Sequence, residues 1–233
     1  MPESLESSWV SLLHGVFGVF GLVVAPLAML VRKGGAAHRF WGRSFVLSLA
    51  VTALCAVALS SEVGDPAMAL LAVLSLHLAV SGYRALYLKD LHRGLQPARV
   101  DLILHGIPGL VFGGLLIWGV GLGLAGHATS ESHIYALAGL LGLGNVFRLF
   151  RRFRNPRVDR RQWLFDHMTG FLGAYVVTLT AFCAVGLTQL PVLVRWVVPS
   201  VLGVPLILLW ARYYRKQFER GRRVRNLADV RIP

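Results

Sequence analysis

Along this chain, polar residues come in short breaks between long apolar runs. Seven runs can be drawn: Trp9–Val31, Gly42–Ser61, Ala67–Tyr87, Val100–Leu124, Ile134–Phe150, Trp163–Leu187 and Val192–Tyr214. Most approach the ~20 residues a helix needs to cross a bilayer. They are continuous rather than alternating and too long for strands, so the pattern predicts helices. The expected fold is all-α, a polytopic bundle of seven transmembrane helices. The breaks are short, so consecutive helices should be antiparallel neighbours. Residues 1–214 form one transmembrane domain in this reading, and 215–233 a basic tail.

Composition removes the soluble alternative. Of 233 residues 55% are apolar and 15% charged, with a mean hydropathy of +0.61, outside the usual balance of a soluble domain. The N-terminal MPESLESSWV lacks a basic segment and a small-residue cleavage site, so the first run is expected to be retained as a span. Cys55 and Cys183 both lie within apolar runs and show no metal-type spacing.

The net charge of +13 would suggest a nucleic-acid partner in a soluble chain. Here it predicts orientation instead. The first, third and fifth loops and the C-terminal segment hold 23 of the 24 Lys and Arg residues, and only Arg195 lies toward the other side. By the positive-inside rule the chain runs N-out and C-in. The expected partners are the lipid bilayer and, at the basic loops and tail, anionic head groups, each basic residue adding about 1 kcal/mol near the surface. A membrane-protein partner or a second copy of the chain stays open; nucleic acid is not expected.

Glycines recur at helical spacing, at Gly15, Gly18 and Gly21, at Gly106, Gly109 and Gly113, at Gly139 and Gly142, and at Gly170 and Gly173. Small residues so spaced let helix backbones approach closely in lipid. An offset of 128 residues aligns Thr52–Val57 with Thr180–Val185, and Arg84 with Arg212, which suggests a parallel repeat of three helices, a linker helix and three helices. A weaker match of Leu13-His14-Gly15 with Leu104-His105-Gly106 would instead be inverted.

Three motifs carry a family resemblance. They are a KG…HRxxGR segment from Lys33 to Arg43, the Ser81-Gly82-Tyr83-Arg84 end of the third helix, and His167-Met168 with Gly173-Ala174-Tyr175 in the sixth. Together they resemble the bacterial multi-pass membrane proteins grouped as domain of unknown function number 2306. The resemblance covers roughly residues 10–187 and implies a multi-pass protein of the bacterial cytoplasmic (inner) membrane. It implies no activity.

Ionisable groups within spans are costly and mark candidate sites. Asp101, Asp166, Arg39 and Arg84 are expected at similar depth, as a polar vestibule at the basic end. Their structural alternative is pairing within first helical turns, Asp101 or Asp166 with Arg39, Arg84 or Arg99. The buried histidines His105, His167, His14, His77 and His38 are candidate cofactor ligands. Haem b takes one imidazole from each of two facing helices, and His105 with His167 meets the depth condition best, His14 with His77 more loosely. The alternative for His14 and His77 is a neutral imidazole hydrogen-bonded across helices, and for His38, with Arg39, an interfacial anchor. The functional expectation is haem b or metal binding for redox or electron transfer. Competing expectations are a small-solute transporter, a structural or accessory membrane subunit, and, behind these, a membrane zinc hydrolase, whose HxxxH signal the chain lacks.

Overall fold

A computed structural model describes residues 5–64, 66–155 and 159–220. Among these residues seven α-helices follow in order: α1 Leu5–Leu30, α2 Ala36–Val63, α3 Pro66–Arg84, α4 Arg99–Leu124, α5 Ser130–Arg154, α6 Gln162–Gly186 and α7 Val192–Glu219. Two short 3-10 turns, Ala85–Tyr87 and Lys89–Arg93, extend α3. There is no β-strand among the described residues. All seven helices are long and apolar enough to cross a bilayer, the architecture of a multi-pass membrane protein.

The outer surface supports that reading. Leu30, Leu110, Ile117 and Leu124 are all more than three-quarters exposed. In water, apolar patches of such extent are rare; against lipid tails they cost nothing. The interior is held instead by close packing, because lipid is as apolar as leucine.

Helix neighbours follow the chain for most pairs, but α3 packs only lightly on α4, and α5 and α6 are not close neighbours. α1 packs on α2, α2 on α3, α6 on α7, and α4 on α5, while α3 packs chiefly on α6. The central helix α3 thus joins an α1–α2 and α6–α7 group to an α4–α5 hairpin. One buried cluster gathers Val24, Phe45, Leu49, Ala79 and Ala174 from α1, α2, α3 and α6. Another gathers Leu70, Leu74, Phe112, Tyr135 and Val146 from α3, α4 and α5.

Glycines set the closest approaches. A Cβ on Gly170 of α6 would lie 2.7 Å from Gly82 Cα and 2.8 Å from the Leu78 carbonyl oxygen of α3. Between α4 and α5, a Cβ on Gly139 would lie 2.6 Å from Leu116 N. Gly15, Gly106 and Gly113, expected to pack similarly, face open space within 4 Å; sequence spacing does not say which side of a helix meets a neighbour.

Several boundaries differ from the hydropathy reading. α2 begins at Ala36, so the HRxxGR segment is the first turns of a helix rather than a loop. α5 runs well beyond Ile134–Phe150, because Thr129 caps it through a reciprocal pair of hydrogen bonds with Ser132 (3.2 and 2.9 Å) and its basic end turns into the protein. α7 continues to Glu219, so the first residues of the tail are helical; the rest of the tail, from residue 221, lies outside the described residues. Arg195, the basic residue set apart by the charge count, donates to the Ala184 carbonyl at 2.6 Å, serving the C-terminal end of α6.

Candidate functional site

The basic ends of the helices enclose two polar sites on either side of the α3 terminus. The larger is a half-open cavity of about 670 Å³ between α1, α2, α6, α7 and the turn after α3. Its walls are largely apolar and aromatic, including Phe45, Phe171, Trp163 and Trp210. Its charged lining comprises Lys33, Arg39, Arg43 and Lys89, and no carboxylate is among the described residues that line it.

Two histidines line this cavity in an edge-to-face arrangement. His38, in the first turn of α2, and His167, in the second turn of α6, have ring centroids 6.2 Å apart and planes inclined at 75°. The His38 Nδ1 contacts the Ala28 carbonyl oxygen at 2.9 Å, and the His167 Nδ1 contacts the Gly82 carbonyl oxygen at 3.1 Å. A carbonyl only accepts, so each Nδ1 carries the proton and donates. In the neutral ring the Nε2 then holds the free lone pair. This backbone-anchored tautomer is how metal-ligating histidines are oriented. The α3–α6 approach at Gly82 and Gly170 is what brings the second carbonyl within reach.

The cations are anchored too. The Lys33 ammonium donates to the carbonyl oxygens of Met29 and, at 3.2 Å, Val31, closing the C-terminal turn of α1. Burial holds its pKa below the ordinary lysine value. Arg39 donates to the Gly34 carbonyl at 2.5 Å. The Lys89 ammonium lies 4.8 Å from the centroid of the Trp163 ring.

The second site is a buried seam joining α3 to α4 and α5. Arg84 meets Asp101 through two bonds, Nε to Oδ1 at 2.5 Å and Nη2 to Oδ2 at 2.9 Å. Asp101 also accepts the Ala98 N–H at 2.7 Å, holding the start of α4. One turn further in, His105 Nδ1 lies 3.2 Å from His77 Nε2. Both rings are buried, and His105 packs against Phe150 and Phe153.

The expected residues therefore separate into two groups. His38 and His167 share the cavity, with Arg39 at its rim. His77 and His105 share the seam, above Arg84 and Asp101. The pairings His105 with His167 and His14 with His77 are not the ones the structure brings together, because α3 stands between the first two and His14 instead contacts the Thr52 carbonyl at 3.0 Å. Asp166 pairs with Arg152 of α5, not with Arg39, Arg84 or Arg99, and also accepts from Gln162 at 3.1 Å. The sequence reading missed Arg152, whose place in a basic run marked it as a topology signal only. It also passed over Arg43, Lys89 and Lys33 as cavity residues, although Lys33 and Arg43 bound the KG…HRxxGR motif. No group of three or more His, Cys, Asp or Glu side chains that could hold a metal ion occurs among the described residues. Compared with known proteins, the chain matches no family model, no curated protein and no solved structure.

Proposed function

We propose that this chain is a redox protein of the bacterial cytoplasmic membrane, with its basic end in the cytoplasm, that binds a b-type haem between His38 and His167. The observation that carries the reading is this pair of adjacent imidazoles, each anchored through Nδ1 to a backbone carbonyl at the wall of one large cavity. An imidazole nitrogen sits about 2 Å from a metal it ligates, so the two rings would have to lie close together to share one, and the His38 and His167 centroids are 6.2 Å apart. A bare ion needs three or four protein ligands; two histidines suffice for an iron that arrives already held by a macrocycle.

The cavity supports the same ligand. Its 670 Å³ lies within the ~300–1,000 Å³ range of cofactor and small-molecule pockets. The aromatic walls suit a flat apolar body, and Arg43 and Lys89 suit its carboxylates. The HRxxGR segment, part of the resemblance drawn above, supplies His38, Arg39 and Arg43. When bound, haem supplies one-electron chemistry; the chain's own residues orient it and keep it in a largely apolar site.

A second reading rests on the cationic rim and the half-open mouth: an anionic amphiphile, such as a lipid, held without metal. Purification of the full chain in detergent from haem-replete cells separates the two. The haem reading expects a Soret band, a reduced α band and about one iron per chain. His38→Ala and His167→Ala should each lose most of the haem, while His14→Ala retains it. Protein free of haem and iron, or full retention by both cavity variants, overturns the reading; co-purified anionic lipid in haem-free protein favours the second.

A further inference from the structure

Beside the cavity, the seam holds a pair of histidines that the proposed haem site does not use. His77 and His105 are 5% and 1% exposed, and their facing nitrogens lie 3.2 Å apart. The outer nitrogen of His77, Nδ1, is buried and has no hydrogen-bond partner. Phe112 and Phe150 wall the pair.

A small cavity reaches His105 from the basic end. It measures about 20 Å³, enough for a single water by the ~10–15 Å³ criterion. Its lining includes the polar residues His92, Asp159, Gln162 and Asp166 together with Ala85 and Leu149.

We infer that His77 and His105 form a proton-binding dyad, loaded with one proton from the water phase at the basic end through this cavity. In the neutral dyad, two protons are distributed over four ring nitrogens. A hydronium ion reaching the cavity transfers one proton to the dyad and leaves as water. The loaded pair then has three protons: one on each outer nitrogen and one between the two inner ones. One positive charge is gained, shared across a single N–H···N bond.

The surroundings set what that charge meets. From α4 comes Asp101, whose carboxylate is already engaged by Arg84 of α3. From α5 comes Arg152, paired with Asp166 of α6. Lys89 and His92 approach from the turn after α3, and Asp159 from the segment before α6. Loading therefore places a new cation in the seam that ties the α4–α5 hairpin to α3, making that joint responsive to pH at the basic end. This does not depend on haem.

The test is a titration of the full-length protein, labelled with ¹⁵N-histidine, in micelles from about pH 8 to pH 4, across the range histidines ordinarily span. The expected result is one one-proton step in which the resonances of both rings move together. His77→Gln or His105→Gln should each abolish the whole step, the glutamine keeping a hydrogen-bonding side chain in place. Ala85→Val, which narrows the cavity and leaves both histidines intact, should slow proton exchange of the pair at least tenfold. Two independent steps, no step at all, a step that survives either glutamine variant, or unchanged exchange in Ala85→Val would overturn the inference.

Discussion

The Arg84–Asp101 pair gives the sharpest test of how the helices are held. Asp101 is fully buried, while the Arg84 side chain retains 23% exposure, and the two share two hydrogen bonds of 2.5 and 2.9 Å. Removing one partner of a buried pair costs about 3–5 kcal/mol because the other charge is left uncompensated. The two deletions are not equivalent. Asp101→Asn keeps an oxygen for the Ala98 N–H and strands an arginine that can reach toward water, so about 2–3 kcal/mol is expected. Arg84→Met strands a carboxylate with no exposure, so the full 3–5 kcal/mol applies. The double variant leaves no unpaired charge and should be more stable than the sum of the singles by about 2 kcal/mol or more. Unfolding in mixed micelles of increasing dodecyl sulfate, followed by helical circular dichroism, measures all four proteins. Single effects that add to within about 0.5 kcal/mol, or Asp101→Asn being the worse variant, would refute the reasoning.

Two further outcomes follow from the packing at the basic end. Gly170→Leu drives a side chain into the α3 backbone, where even a Cβ would sit 2.7 Å from Gly82 Cα. Overpacking of about 1–3 kcal/mol is expected in the same assay, and the shift of Gly82 should also weaken haem retention through its bond to His167, whereas Gly106→Leu, facing open space, should change neither. Lys33 has a folded pKa below its unfolded value because burial disfavours the ammonium. The unfolded state then binds more protons across that window, so stability should rise with pH as the window is crossed toward the ordinary lysine value. Titration of reductively ¹³C-methylated protein should show one lysine below the others, lost in Lys33→Met; a Lys33 resonance at or above the ordinary position contradicts the burial argument.

What the sequence determined by itself is what local composition encodes. Seven apolar runs determine seven helices, because in lipid a backbone must satisfy its own hydrogen bonds and an isolated span does so only as a helix. The candidate residues were also legible one at a time: a histidine or aspartate within an apolar run is conspicuous because it is costly there. Helix ends were legible only approximately, since hydropathy does not register a cap such as Thr129 or an arginine turned inward such as Arg152.

Partnership was decided by the tertiary structure alone. Hydropathy gives depth but not azimuth, so His105 and His167 matched in depth, yet α3 stands between them and gives each a different neighbour. His167 reaches the Gly82 carbonyl because the glycines at 82 and 170 let α3 and α6 approach closely, a Cβ on Gly170 falling 2.7 Å from Gly82 Cα. Asp166 finds Arg152 because α5 runs past its apolar segment. Each of these contacts joins residues from separate helices, and which side of one helix meets another depends on the summed packing of the whole bundle rather than on any single stretch of chain.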